Sequence, residues 1–162
     1  MGNYSQKNNY NNHHRNYQGG NSEQGIVTAE KKFEELKFQL TWIKDGATPE
    51  MVTFADEAAK YMGEGGLTAS KIRAVYGEIK RIQMKKFEEE RTAFYLLKPK
   101  VAYAVGREKA TAGEKNCKGI KLFQLIFNEC FKYVENDATY KNFCNFMEAI
   151  VAYHKVYQKK ND

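Results

Sequence analysis

Hydrophobic residues recur along most of this chain every three or four positions, which is the spacing of one face of an α-helix. The first such run lies between residues 28 and 45, where the apolar positions are Phe33, Leu36, Leu40 and Ile43. Gly46 follows the run, and a glycine just past the last periodic residue commonly ends a helix. We therefore expect a first helix over residues 28–45.

A start signal predicts the second helix. Thr48 precedes Pro49, and this pair is typical of a helix N-terminus because a threonine hydroxyl accepts a backbone N–H and proline suits the first helical position. Residues 51–62 then carry apolar side chains on one side, and the glycine-rich segment 63–66 predicts the end of the helix.

A longer helix is predicted to begin with Thr68 as its N-cap and to continue to Leu97. We expect Pro99 to stop it, because proline disfavours the helical conformation in the residue before it. A shorter helix would then start at Lys98, and the stretch around Gly113 is expected to be a loop.

Two stretches with dense apolar patterns, residues 115–135 and 138–158, predict two more helices, and Asp137 is the expected cap of the last one. Alternating strand patterns are absent. The predicted fold class is therefore all-α: a compact bundle of five or six helices with a disordered N-terminal tail.

Composition separates the tail from the helical domain. Residues 1–26 are rich in Asn, Gln, Gly, Ser and Tyr and carry too little apolar surface to offset the entropy of ordering, whereas residues 27–160 form the predicted helical domain. A disordered extension is the simpler interpretation of the tail. The alternative is loose contact with RNA through Tyr4, Lys7, Tyr10, Arg15 and Tyr17. The adjacent His13 and His14 do not predict a metal site.

The positive charge of the chain is concentrated in one region. Formal net charge is +6 and the pI is near 9.1, which is compatible with nucleic acid or an acidic membrane surface as a partner. The segment from Leu67 to Arg107 holds ten Lys or Arg residues and four acids, so its excess of six equals that of the whole chain.

A first basic column lies beside the apolar face of the long helix. At about 100° per residue, Arg73, Gly77 and Lys80 lie between about 80° and 140° from Ile72, with no acid among them. Glycine lowers the stability of a helix interior by roughly 1 kcal/mol relative to alanine, so we expect a structural or functional requirement for glycine at position 77. Close approach of a phosphate backbone is one reason, and room for a neighbouring helix is the other.

A second column follows in the segment LKPKVAYAVGRE. Lys100 and Arg107 are two helical turns apart with Tyr103 between them, and Lys98 stands at the start of the segment. Two cations along a phosphodiester and one ring for a base or sugar would fit this column. An ordinary solvated helix face is the alternative.

Other polar residues do not predict catalysis. Cys117, Cys130 and Cys144 lie among apolar residues without a CxxC pair, so we expect buried free thiols and a reducing cytoplasm. His154 is expected to be buried and hydrogen-bonded. No phosphate loop, nucleophile elbow or metal motif is found, so no catalytic residue, cofactor or metal is predicted. No apolar run is long enough for a membrane span.

Three segments, LTASKIRAVYGEIKRIQ, LLKPKVAYAVGRE and FCNFMEAIVAYHKVY, together resemble the small subunit of the type III-A CRISPR effector, the Csm complex. The resemblance covers about residues 50–157, and Lys71 departs from it by standing where a glutamine is expected. It implies a non-catalytic, helical, RNA-binding domain over residues 27–160. The implied partners are the CRISPR RNA, the target RNA paired to it, the backbone and large subunits of the complex, and stacked copies of the chain.

Carried over by position, the resemblance implies RNA contacts at Arg73, Lys80, Arg81, Lys98, Lys100 and Arg107, and the second column adds Tyr103. Our hypothesis is that the two columns converge in one groove that follows the phosphates of an RNA strand. A helical scaffold domain that does not bind RNA directly is the alternative. An enzyme acting on nucleic acid is a third class, which the carboxylate spacing does not favour.

Overall fold

The computed structural model describes residues 25–158, and in that range the chain forms seven α-helices and no strand. The helices are α1 (Ala29–Leu36), α2 (Thr41–Lys44), α3 (Pro49–Glu64), α4 (Ala69–Gln83), α5 (Phe87–Ala112), α6 (Lys118–Phe131) and α7 (Asp137–Tyr157). A 3-10 turn, Glu114–Asn116, joins α5 to α6. The all-α prediction is confirmed, with one helix more than expected. Residues 1–24 of the predicted tail lie outside the described residues.

The bundle packs around α7. This helix contacts α2, α3 and α4, while α6 contacts α1, α3 and α5, and α4 lies against α5. Side chains of α7 are buried over about four turns, from Thr139 to His154. Those with no exposed surface include Phe143, Phe146, Met147 and Ile150. Burying one such side chain stabilises the fold by about 1.5–3 kcal/mol, so α7 supplies a large part of the core.

The helix predicted over residues 28–45 is divided in two. Lys37 adopts the left-handed conformation (φ 54°) and ends α1, and α2 begins at Thr41. The break directs aromatic side chains of this segment towards α3 and α7. They join a cluster whose ring centroids lie 5.1–6.1 Å apart and whose members are Phe38, Trp42, Phe54 and Phe146.

Pro99 does not end a helix, contrary to the prediction, and lies inside α5. Proline cannot donate an N–H to the carbonyl of Tyr95. Tyr95 is 49% exposed, so this turn of α5 lies at the surface of the bundle. Side chains on either side of the proline stay buried and hold the helix in the bundle; they are Phe94, Leu97 and Val101.

The helix predicted to run from Thr68 to Leu97 instead ends at Gln83, and a turn at residues 84–86 separates α4 from α5. The turn carries Phe87 into the core, where its ring stacks on Tyr140 with centroids 5.4 Å apart. No glycine or proline marks this turn, so packing against α7 decides its position.

Asp137 is not the cap of α7 that the sequence predicted. Asn136 takes that place, because its side chain and that of Thr139 form a capping box. Asp137 caps a different helix, since its Oδ1 accepts the backbone N–H of Phe87 at 2.6 Å. The first residue of α5 is therefore held by a carboxylate from the start of α7.

We expect Asp137→Ala to lower the free energy of unfolding by about 1 kcal/mol, the usual cost of losing a helix cap. Asp137→Asn keeps an oxygen acceptor and is the matched control, with a smaller loss. Urea denaturation of both variants measures the difference. Equal losses in the two variants would contradict a capping role.

Buried sulfur and imidazole groups agree with the sequence prediction. The three cysteines, Cys117, Cys130 and Cys144, are buried free thiols, and burial raises the pKa of Cys144 to about 11. His154 is 1% exposed, and its Nε2 lies 2.8 Å from the carbonyl oxygen of Leu67. Burial lowers the pKa of His154, and this hydrogen bond opposes the effect only in part.

We expect the protein to lose stability as pH falls below about 6.5, the ordinary pKa of histidine. The unfolded chain takes up the proton at a higher pH than the folded chain, so the contribution of His154 is complete above the unfolded pKa and is lost as pH falls through the folded pKa. The slope from this one group is at most about 1.4 kcal/mol per pH unit.

Urea titrations between about pH 7.5 and 5.5 test this expectation. His154→Gln removes the titrating group, so the pH dependence of its unfolding free energy should be flatter. Parallel pH profiles for the two proteins would show that another group is responsible.

Candidate nucleic-acid interface

Helices α4 and α5 lie side by side and antiparallel, and oppositely charged side chains cross between them. Lys100 Nζ lies 3.5 Å from Glu78 Oε2, and Arg81 Nη1 lies 3.2 Å from Glu90 Oε2. Lys71 pairs with Glu108 at the other end of the two helices. The Lys100–Glu78 pair is exposed and adds little stability. The side chains of Glu90 and Glu108 are only 11% and 9% exposed, so Arg81 and Lys71 compensate carboxylates that are largely removed from water.

A groove of about 620 Å³ runs between the two helices and is called here the α4–α5 groove. Its floor is apolar and includes Ala74, Val75, Leu97 and Ala104. Its rim carries both signs of charge and one aromatic ring, from Lys71, Glu78, Lys100, Tyr103, Arg107 and Glu108.

Three of the seven predicted site residues line this groove: Lys100, Tyr103 and Arg107. Tyr103 is 71% exposed. Within residues 25–158, no carboxylate lies at ion-pair distance from Arg107. The second column is therefore brought together on one face, but Glu78 and Glu108 share that face, which the sequence pattern did not indicate.

The first column, Arg73, Gly77 and Lys80, does not line the groove. Burial of Ile72, Ile79 and Ile82 fixes the rotation of α4. At about 100° per residue, Gly77 then lies about 170° from the mean direction of these isoleucines. The surface formed by Arg73, Gly77 and Lys80 is called here the α4 crest. The structure therefore does not bring the two columns into one groove.

Gly77 lies open on the α4 crest. A Cβ added there would meet no atom within 4 Å, so Gly77 does not make room for another helix of this chain. Arg73 and Lys80 are exposed, and Lys80 Nζ donates to Gln83 Oε1 at 2.8 Å. In the part of the chain that the structure describes, neither cation has an ion-pair partner.

The two other predicted residues, Arg81 and Lys98, do not line the groove. Arg81 follows Gly77 by four residues and therefore lies beside the α4 crest. Arg81 contacts Glu78 at 3.4 Å and Glu90 at 3.2 Å, and these carboxylates raise its pKa and compensate its charge. Lys98 Nζ lies 5.5 Å from the ring centre of Phe131. Residues two apart on a helix do not face the same way, so Lys98 points away from the groove that Lys100 lines.

Sequence reasoning missed Lys71, Glu78 and Glu108 as residues of the groove. The feature that identifies these residues is that opposite charges lie at corresponding levels along two antiparallel helices. That feature becomes readable only when the turn is placed at residues 84–86, and the sequence placed the boundary at Pro99 instead.

Residues 25–158 contain neither a metal-ligand cluster nor a membrane-spanning helix. No group of three His, Cys, Asp or Glu side chains there could hold a metal ion. None of the helices in this range has the length and apolar content that crossing a bilayer requires.

The family model Csm2 Type III-A matches residues 45–160. The match covers α3 to α7 and hence both the α4 crest and the α4–α5 groove. The chain belongs to the Csm2 Type III-A family. Csm2 proteins are the small subunit of the type III-A CRISPR complex and form a structural subunit family, so the resemblance inferred from three segments is confirmed. No curated protein and no solved structure was found to match the chain.

We expect Gly77→Ala to raise the free energy of unfolding by about 0.5–1 kcal/mol, because alanine favours the helix and meets no neighbour here. Gly119→Ala is the contrasting variant, since a Cβ there would overlap the carbonyl oxygen of Met62, and it should destabilise. Chemical denaturation measures both. A loss of stability in Gly77→Ala would mean that the α4 crest is not open.

Proposed function

We propose that this chain serves the type III-A CRISPR complex as a non-catalytic, cytoplasmic RNA-binding subunit, and that the target RNA paired to the CRISPR RNA passes over the α4 crest. The observation that carries the proposal is one arrangement: Arg73 and Lys80 flank the open Gly77, and neither has a carboxylate within ion-pair distance in residues 25–158.

Physical chemistry favours phosphate as the ligand of the α4 crest. Phosphate contacts require cations that are not already neutralised, and they supply most of the affinity of non-specific nucleic-acid binding. A glycine between two such cations removes the side chain that would hold a backbone away. Base pairing with the guide would supply sequence recognition, while the crest senses charge and shape.

One copy with two phosphate contacts would bind weakly. Neighbouring copies, together with the backbone and large subunits, would hold the RNA at high effective concentration, so that weak contacts add along the strand. High affinity for RNA would then be a property of the assembled complex and not of a single copy.

A second candidate function is a protein scaffold without direct RNA contact. The outer face of α5 favours it, because Tyr95 and Leu96 are about half exposed and Pro99, Ala102 and Gly106 are exposed on the same helix. Exposed apolar side chains of this kind suit contact with another protein. This face and the α4 crest lie on different helices, so mutation separates the two candidates.

We expect Arg73→Ala combined with Lys80→Ala to weaken RNA binding by the full chain and to lower the salt slope. Each phosphate contact contributes about 0.7 to that slope for a single strand, so the loss is about 1.4. Fluorescence anisotropy with labelled RNA at several salt concentrations measures it.

The matched control is Lys31→Ala combined with Lys60→Ala, which removes the same charge from exposed residues of α1 and α3. If both double variants lose equal affinity, net charge and not the α4 crest is responsible. Unchanged binding in the crest variant would favour the scaffold function.

A further inference from the structure

We propose that the α4–α5 groove receives the base of an unpaired nucleotide from the strand that crosses the α4 crest. This inference rests on the proposed function and adds a second site to it. The ligand class is a nucleobase, and the groove and the crest would divide the recognition of one RNA strand between them.

The floor of the groove argues against a phosphate as its occupant. Val75, Leu97 and Ala104 line the floor, and an apolar surface cannot replace the water around a phosphate. A planar base loses less hydration and gains contact with such a floor. The groove volume of about 620 Å³ falls within the range of small-molecule sites, roughly 300–1,000 Å³.

Tyr103 supplies the surface on which a base would stack. Its side chain is 71% exposed at the rim of the groove, so most of the ring is open to a ligand. Arg107 follows four residues later on the same face of α5, within reach of a neighbouring group on the ligand. Together they offer a ring and a cation to one nucleotide.

The charge balance of the rim fits one nucleotide. Lys71 is paired with Glu108 and Lys100 with Glu78, which leaves Arg107 as the cation of the rim without a carboxylate partner in residues 25–158. A nucleotide within a strand carries one negative charge. The α4 crest differs, because it has two such cations and no apolar floor.

Glu78 gives the groove a preference among bases. Arg81 and Lys100 both contact its Oε2, and Oε1 has no partner in the described part of the chain. The side chain is 38% exposed. A carboxylate oxygen only accepts hydrogen bonds. The N3–H of uracil lies between two carbonyl oxygens that repel a carboxylate, so Oε1 favours the bases that carry an amino group, namely adenine, cytosine and guanine.

A short path connects the two sites. Ala74 lines the groove and lies one turn before Gly77 on α4. Both residues are small, so the surface of α4 is low between them. At about 100° per residue, Ala74 and Glu78 lie about 100–160° around α4 from Arg73 and Lys80, so the base in the groove and the phosphates at the crest belong to different nucleotides of the strand that passes over Gly77.

Fluorescence anisotropy with the full chain tests the inference. The probes are labelled oligoadenylate, oligouridylate and an abasic oligomer of equal length. We expect Tyr103→Ala to weaken oligoadenylate binding by about 10-fold, as loss of one stacked base would, and to leave the salt slope unchanged. It should not affect the abasic oligomer. Tyr95→Ala is the matched control, because Tyr95 is an exposed tyrosine of α5 outside the groove.

Two further variants locate the base. Ala104→Leu narrows the floor and should reduce oligoadenylate binding as Tyr103→Ala does. Glu78→Ala should reduce the preference for oligoadenylate over oligouridylate.

The outcomes separate this inference from the proposed function. If Tyr103→Ala and Ala104→Leu bind all three oligomers normally while Arg73→Ala with Lys80→Ala does not, the groove binds no base, whereas the proposed RNA contact at the crest is supported. The groove is then occupied by a side chain of a partner protein. If the crest variant also binds normally, the proposed function fails as well. Equal loss on the abasic and the base-bearing oligomers would overturn the base site.

Discussion

Burial of Ile72, Ile79 and Ile82 is the constraint on which the candidate interface depends. These three side chains fix the rotation of α4 about its axis, and that rotation decides which charges meet a partner. Glu78 and Arg81 turn towards α5 and are compensated there. Arg73 and Lys80 point outwards and have no ion-pair partner within residues 25–158. The hydrophobic core of the bundle therefore sorts the basic residues into structural and available ones.

Much of this arrangement could be predicted from the sequence, because helical spacing depends on local patterns. The faces of α4 and α5, the Thr48 start of α3, the buried thiols and the hydrogen-bonded His154 all follow from residue type and period. The α4 column was therefore identified correctly as a set of neighbours on one helix.

The turn at residues 84–86 and the groove could not be predicted in the same way. Met84, Lys85 and Lys86 contain no helix breaker, and the turn depends on Phe87 stacking on Tyr140 and on the carboxylate of Asp137, 50 residues further on. Pro99 is the stronger sequence signal for a helix end, yet burial of its neighbours Phe94, Leu97 and Val101 keeps it inside α5. Because the turn decides which residues of the two helices face each other, the pairing of Lys71 with Glu108 could not be predicted from the sequence.

The aromatic cluster around Trp42 has a consequence for the limits of the folding unit. The family match begins at residue 45, but Trp42 and Ile43 are buried, and the indole N–H of Trp42 donates to Thr48 Oγ1 at 3.1 Å. A fragment cut at the family boundary would leave a void between α3 and α7 that is lined by Phe54 and Phe146. Shortened or chimaeric versions of the chain therefore need to retain the helices that precede the matched region.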